Sequence, residues 1–339
     1  MSDTIRVGIL GGGWPGLMHA RGYQEAGGYQ LLAVADLIPA RRQKLMAEAQ
    51  LQREYAQAQE LIDDPGIDAI SICLPNDLHM DTALAALRAG KHVLCETPPA
   101  LSAAQAARMA KAAQKAGKVL LYGFQRRFGP HAQAAYQALA KGFVGTAYHA
   151  RSAWTRTRAI PQGTGWFSQK EKSGGGALMD LGMHMLDLAW YLLGQPRPLS
   201  VYAAIQRRLG GAASEVEDFG SALLRFEEDK SLELSASWAL NQPPGQNGAV
   251  CRVHGTEGSV DVYTPEGAVL YRHFTSDTDC KRHPLKPPKL VNHAALMRHF
   301  RQCILGKCPP LIGPEQGATL MRMMDGIYRS AHSGKSVTL

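Results

Sequence analysis

Arg6-Val7-Gly8-Ile9-Leu10-Gly11-Gly12-Gly13-Trp14-Pro15-Gly16 reads as an apolar strand that turns on glycine and runs into a helix. The spacing is G-x-G-x-x-G, and each glycine has its own reason. Gly11 permits the tight turn, Gly13 lets backbone amides approach a pyrophosphate, and Gly16 lets helix and strand pack closely. Pro15, near the first helical turn, removes an N–H that would have had no partner there. A glycine turn alone is a weak signal. Here Asp36 closes the next apolar run about twenty residues on, where the ribose hydroxyls of a dinucleotide would lie, and the combination points to a bound nicotinamide dinucleotide. Asp36 would repel a 2′-phosphate, which favours NAD, while Arg41 and Arg42 leave NADP open.

Working outward, short β-rich runs alternate with longer Ala-rich segments of helical period, the pattern of a parallel sheet covered by crossover helices. Strands are expected over 5–10, 31–35, 69–74, 92–95 and 119–122. Helices are expected over 77–89 and 102–116, the second entered by Ser102 and stopped by Gly117. The fold class is α/β, with a Rossmann domain over 1–124. After Gly129-Pro130 the texture changes to one helix, an extended stretch through Trp154, a Gly-rich loop, a strongly apolar helix and then a run of strands. Strands over 199–206, 219–226, 231–238, 250–254 and 259–263 are spaced for hairpins, giving an α+β domain over 125–339 built on an open antiparallel sheet. Two closing helices, over about 292–305 and 314–333, are expected to fold back onto the earlier parts. The exposed face of such a sheet suits a homodimer or homotetramer.

At 339 residues the chain exceeds the roughly 250 to 300 at which a single core stops growing, consistent with two domains. The formal charge of +8 is spread along the chain without a nucleic-acid motif, so it reads as solvated surface or as a field that draws in anionic ligands. No apolar run approaches the roughly 18 residues of a membrane span, and Met1-Ser2-Asp3-Thr4 does not open a signal peptide, so a cytoplasmic location is expected. Six cysteines without a Cys-x-x-Cys pair argue against structural zinc and a disulfide scaffold, and no metal is expected.

Three further blocks, Leu74-Pro75-Asn76-Asp77-Leu78-His79, Ala89-Gly90-Lys91-His92-Val93-Leu94-Cys95-Glu96-Thr97-Pro98 and Asp180-Leu181-Gly182-Met183-His184-Met185-Leu186-Asp187, resemble the glucose-fructose oxidoreductase, inositol dehydrogenase and rhizopine-catabolism (Gfo/Idh/MocA) family in content, order and spacing over nearly the whole chain. The resemblance implies a Rossmann domain, a C-terminal domain with a large, mostly antiparallel sheet, and a sugar, inositol or related polyol as substrate. It implies a cofactor-binding set of Gly11, Gly13, Trp14, Pro15, Gly16, Asp36, Arg41, Leu74, Pro75, Asn76, His79, Glu96, Thr97 and Arg127. Glu96-Thr97-Pro98 occupies the family's Glu-Lys-Pro position beside the nicotinamide, so the family lysine is Thr97 here. A threonine hydroxyl can hold a substrate oxygen, but it neither titrates near neutrality nor carries charge.

Asp180, His184 and Asp187 fall at i, i+4 and i+7, one face of a regular helix. The resemblance makes His184 the family's catalytic or substrate-binding histidine, expected here as the proton acceptor, and Asp180 its substrate-binding partner. From the residues alone, a buried structural His–Asp pair on so apolar a helix stays open, and Asp187 reads as structural. Ser173-Gly174-Gly175-Gly176 is either a close backbone approach to substrate or a flexible loop. Arg127 is a candidate at the cofactor or substrate edge, or half of a solvated Arg126–Arg127 pair. Trp154 and Trp166 either stack on a sugar ring or pack internally. With Thr97 neutral, Lys170 or Lys172 is a candidate substitute cation.

The reading is an NAD(P)-dependent oxidoreductase acting on a secondary alcohol of a sugar, inositol or glycoside, with Thr97, Arg127, Trp166, Asp180 and His184 at the substrate. Two alternatives stand beside it. One is a glycoside-cleaving enzyme with transient redox of a retained NAD, and the other a non-catalytic dinucleotide-binding regulator.

Overall fold

The computed structural model describes residues 4–160, 165–209, 214–243, 245–276, 279–289 and 292–339; residues 1–3, part of the start read above for a targeting segment, lie outside the described residues. The chain forms two compact units, Met1–Phe128 with Leu290–Met321 and Gly129–Lys289 with Arg322–Leu339.

In the first unit the elements run β1 (Ile5–Leu10), α1 (Trp14–Ala26), β2 (Tyr29–Ala35), α2 (Pro39–Ala49), β3 (Arg53–Tyr55), α3 (Ala58–Asp63), β4 (Ala69–Ile72), α4 (His79–Arg88), β5 (His92–Cys95), α5 (Ala103–Ala116) and β6 (Leu120–Tyr122). Among the described residues the strands form a six-stranded sheet of order β3-β2-β1-β4-β5-β6, parallel throughout. Ala69-Ile70-Ser71-Ile72 is buried at all four positions, as a strand covered on both faces must be. The helix expected over 102–116 begins after Ser102, whose Oγ accepts from Gln105 N at 3.3 Å, and ends at Gly117 in the left-handed region (φ 61°). β3 escaped the sequence reading because it is a three-residue edge strand carrying Arg53 and Glu54, without apolar alternation.

The first unit runs to Phe128 and takes up Leu290–Met321 as well. α9 (Asn292–Ile304) belongs to the first unit, because it buries Leu296, Met297 and Phe300 and crosses α1 at Gly22. A Cβ on Gly22 would stand 2.9 Å from His293 Cβ and 3.2 Å from Met297 Cγ, so glycine sets that close approach.

The second unit contains α6 (Pro130–Ala140), β7 (Ala147–Thr155), α7 (Lys170–Ser173), α8 (Met183–Leu192), β8 (Pro198–Gln206), β9 (Phe219–Phe226), β10 (Ser231–Ser237), β11 (Gly248–Gly255), β12 (Gly258–Thr264), β13 (Gly267–Ser276), β14 (Asp279–Pro284) and β15 (Val337–Thr338). α10 (Pro314–Ser333) gives its residues to Met321 to the first unit and the rest to the second. Among the described residues the second sheet has nine strands in the order β14-β13-β12-β11-β7-β10-β9-β8-β15; only β7–β10 is a parallel pair. The mostly antiparallel sheet expected from the resemblance is therefore present. α8 covers its inner face, where Ser152 Oγ donates to Met185 O at 2.9 Å. The outer face exposes Tyr202, Leu223 and Val250, alternating with buried Ala203, Leu224 and Cys251. β14, unread in the sequence, is an edge strand rich in Lys281, Arg282 and His283.

Candidate active site

The glycine turn joins β1 to α1, and its three glycines have different constraints. Gly11 has a φ of 99°, and a Cβ there would collide with Cys73 O; a Cβ on Gly16 would collide with Gly11 O. Both are demanded by the protein itself. Gly13 is not, since it has an ordinary extended conformation and a Cβ would meet only Pro15 Cδ at 3.8 Å. The space left there, at the amino end of a 13-residue helix, suits a bound phosphate. Trp14 is 67% exposed beside it, and Pro15 lies in the first turn.

Asp36 follows the last residue of β2 and accepts from Gly12 N (2.8 Å) and Ile38 N (2.8 Å), which fixes its carboxylate beside the turn. Arg42 is turned back onto Asp36 O (2.7 Å) and Glu54 (3.0 Å), and Arg41 is exposed with its backbone under Gly12. This arrangement, with a carboxylate as acceptor and Arg42 turned back onto the protein, fits a diol at the adenosine ribose better than a 2′-phosphate. Leu74, Pro75 and buried Asn76 lead from β4 into a 3₁₀ turn, Asn76–Leu78.

Two expected cofactor contacts turn out to be internal. His79 is fully buried, with Nδ1 2.8 Å from Pro98 O and Nε2 2.9 Å from Leu74 O, so whichever nitrogen holds the proton donates to a backbone carbonyl. It positions the two loops and offers no surface to a dinucleotide. Arg127 is also fully buried; its Nη1 donates to Leu311 O at 2.9 Å, tying the segment after β6 to the chain that follows α9. A buried guanidinium needs such carbonyl partners, and this one has no exposed edge for cofactor or substrate.

The sequence reading passed over His19. It lies one turn after Gly16 on the buried face of α1, with Nδ1 3.0 Å from Ser71 Oγ and Nε2 2.7 Å from Glu96 Oε1; Tyr23 OH also meets Ser71 Oγ at 2.7 Å. Glu96 Oε2 accepts from Thr97 N at 3.0 Å. Burial by itself would push Glu96 upward, but the contacts with His19 and the Thr97 amide outweigh it and hold the carboxyl down at about 2. Thr97, part-buried, is thus fixed through its backbone. The available signal was a polar His19–Tyr23 pair at i, i+4 on a buried helix face, matched by a serine in an otherwise apolar strand.

In the second unit, α8 is entered through a π-helical turn, Leu178–Gly182, so the i, i+4, i+7 spacing does not describe a straight α-helix. Asp180 sits in that turn, and its Oδ2 accepts from Trp238 Nε1 at 2.7 Å. Burial raises the Asp180 pKa, partly opposed by the Trp238 hydrogen bond and by the positive charge of Arg156. The His184 ring lies 6.1 Å from that of Trp154, which also carries the Arg156 guanidinium 5.0 Å from its ring centre. Asp187 is fully buried. Trp166 stacks on Phe167 at 3.9 Å, so one of its faces is already taken. Lys170 and Lys172 are exposed on α7, which leaves Arg156 as the cation felt by Asp180.

Gly175 and Gly176 have an internal reason. A Cβ on Gly175 would strike Tyr328 OH, and one on Gly176 would strike Glu217 O. The buried Glu217 carboxylate accepts from Gly176 N (2.9 Å), Leu178 N (3.0 Å) and Tyr328 OH (2.9 Å), capping the turn that carries Asp180.

Residues 5–124 match an oxidoreductase family with an NAD-binding Rossmann fold, and residues 132–261 match the GFO/IDH/MocA C-terminal domain. The chain is 31% identical to the D-glucoside 3-dehydrogenase of Escherichia coli strain K12, over 100% of this chain and 98% of that protein. Its structure is similar to that of an NAD binding oxidoreductase from Klebsiella pneumoniae, at 26% identity, a TM-score of 0.84 and 99% coverage of each chain. It is also similar to an aldose-aldose oxidoreductase from Caulobacter crescentus complexed with glycerol, at 27% identity, a TM-score of 0.86 and coverage of 99% and 100%. With both domains matched in order and the glycine turn shaped for a dinucleotide, the chain belongs to the Gfo/Idh/MocA family of NAD-binding oxidoreductases.

Proposed function

We propose that the protein transfers hydride between NAD and a secondary alcohol of a glucoside or related cyclic polyol, with His184 taking the alcohol proton. The observation that carries this reading is the Asp180–Trp238 hydrogen bond at the entry to α8, which holds a carboxylate one turn before His184. The likeness to a D-glucoside 3-dehydrogenase over the full chain supports the substrate class. When bound, NAD supplies the hydride acceptor. The chain's own residues do the rest: Asp180 accepts from a ring hydroxyl, His184 holds the departing proton, and Thr97 donates or accepts at a substrate oxygen. Arg156 supplies positive charge beside Asp180, where a developing alkoxide needs electrostatic support. The exposed apolar side chains on the outer face of the second sheet fit pairing of two copies.

The test is an initial-rate survey with NAD and a panel of alkyl glucosides, free hexoses, anhydrosugars and inositols, followed by identification of the keto product. NADH formation with a glucoside is the expected result. No nicotinamide reduction with any of them, and no oxidation of NADH by the corresponding ketosugars, overturns the reading. Thr97 favours a second reading, in which NAD stays bound and redox is transient. Cleavage of an aryl glucoside with no net NADH would be its signature.

A further inference from the structure

His299, Cys303 and Cys308 form a cluster in the first unit, at the C-terminal end of α9. Cys303 is on the last turn of α9, and Cys308 follows the turn that caps it, where Gly306 takes a left-handed φ of 69°. The two Sγ atoms stand 3.9 Å apart. His299 reaches both: Nε2 lies 3.5 Å from Cys303 Sγ, and Nδ1 lies 3.7 Å from Cys308 Sγ.

The protonation of the ring follows from a backbone contact. Leu311 N donates to His299 Nε2 at 2.8 Å, so Nε2 is the unprotonated nitrogen and Nδ1 carries the hydrogen. Nδ1–H then points at Cys308 Sγ, which is placed to accept from it. The same contact disfavours a metal. Ligation through Nε2 would displace the Leu311 amide, and ligation through Nδ1 would leave Nε2–H facing that amide. The two thiols also differ. Cys303 is buried, and burial together with neighbouring Cys308 pushes it up to about 12, so it stays a thiol. Cys308 is only part-buried and open to a small oxidant.

We propose that Cys303 and Cys308 are a peroxide-oxidisable pair that closes into a disulfide, with Cys308 attacked first and Cys303 resolving. In the first step the Cys308 thiolate forms an S–O bond with a hydroperoxide as the O–O bond breaks. Cys308 becomes a sulfenic acid, and the peroxide is reduced to a hydroxide or alkoxide that takes a proton from water. In the second step Cys303 sulfur attacks Cys308 sulfur: S–S forms, S–O breaks, and the hydroxide leaves as water with the Cys303 proton. Closure needs the sulfurs to approach from contact to bonding distance, which the exposed Gly306-Lys307 turn allows.

The experiment treats the purified full-length protein with stoichiometric hydrogen peroxide, then maps peptides under non-reducing conditions. Cys280, the other thiol that is not fully buried, serves as the internal comparison. A 303–308 disulfide, an intact mass lower by two hydrogens and reversal by dithiothreitol support the proposal. C308S should slow thiol loss roughly tenfold or more, and C303S should leave a dimedone-reactive sulfenic acid at Cys308. Peptide mapping of the unaltered protein needs neither variant, so a misfolded variant does not decide the matter. First oxidation at Cys280, no disulfide at all, or a purified protein holding one equivalent of a thiophilic metal that shields the pair would each overturn it.

Discussion

His19 Nε2 lies 2.7 Å from Glu96 Oε1, so the helix behind the glycine turn and the loop after β5 share one buried polar contact. Removing the carboxylate charge in Glu96→Gln leaves His19 and the Thr97 amide with a weaker acceptor, at an expected cost of about 1–3 kcal/mol. Because the folded pKa is held at about 2 against an ordinary 4.5, this contribution is complete above pH 4.5 and is lost as pH falls toward 2. Denaturant unfolding of both proteins at a series of acidic pH values should show the gap between them closing over that interval.

Gly13→Ala should keep the fold and weaken NAD binding by roughly tenfold, since the protein leaves room for a methyl group where the phosphate belongs. Gly16→Ala should instead destabilise the fold by about 1–3 kcal/mol, because the methyl group meets Gly11 O. Thermal unfolding without ligand and NAD titration by calorimetry separate the two effects.

His184→Ala is expected to lower kcat by roughly 10²–10⁴ while leaving the NAD dissociation constant unchanged. Trp238→Phe removes the hydrogen bond that opposes the burial-driven rise of the Asp180 pKa. If Asp180 acts ionised, the acid limb of the kcat/KM profile should move to higher pH in this variant.

His293 is largely buried beside His19, with ring centres 6.0 Å apart, and burial with that neighbour lowers its pKa to about 4. The unfolded chain therefore takes up a proton first as pH falls. Stability should decline from about pH 6.5 to about pH 4, by on the order of 2 kcal/mol from this group, and His293→Gln should flatten that part of the curve. Chemical denaturation at half-unit pH steps is the check.

The glycine turn was legible because its requirements are local: the tight turn needs Gly11 and the close helix needs Gly16. His19 was missed for the converse reason: its partners, Ser71 and Glu96, are 52 and 77 residues away. His79 and Arg127 were read as cofactor contacts from their place in motif-like blocks, yet burial turns both toward backbone carbonyls. The Ser173–Gly176 loop shows the same limit, since Gly175 and Gly176 answer to Tyr328 and Glu217.

By itself the sequence determined a parallel Rossmann sheet followed by a mostly antiparallel sheet, and the shape of the turn that receives NAD. Those properties follow from side-chain period and backbone freedom over a few residues. Only the tertiary structure decided that α9 joins the first unit, that Asp180 lies in a π-turn held by Trp238, and that Cys303 and Cys308 meet at His299. Each depends on contacts between remote segments, on the local winding of a helix or on the turn that ends it, none of which residue spacing encodes.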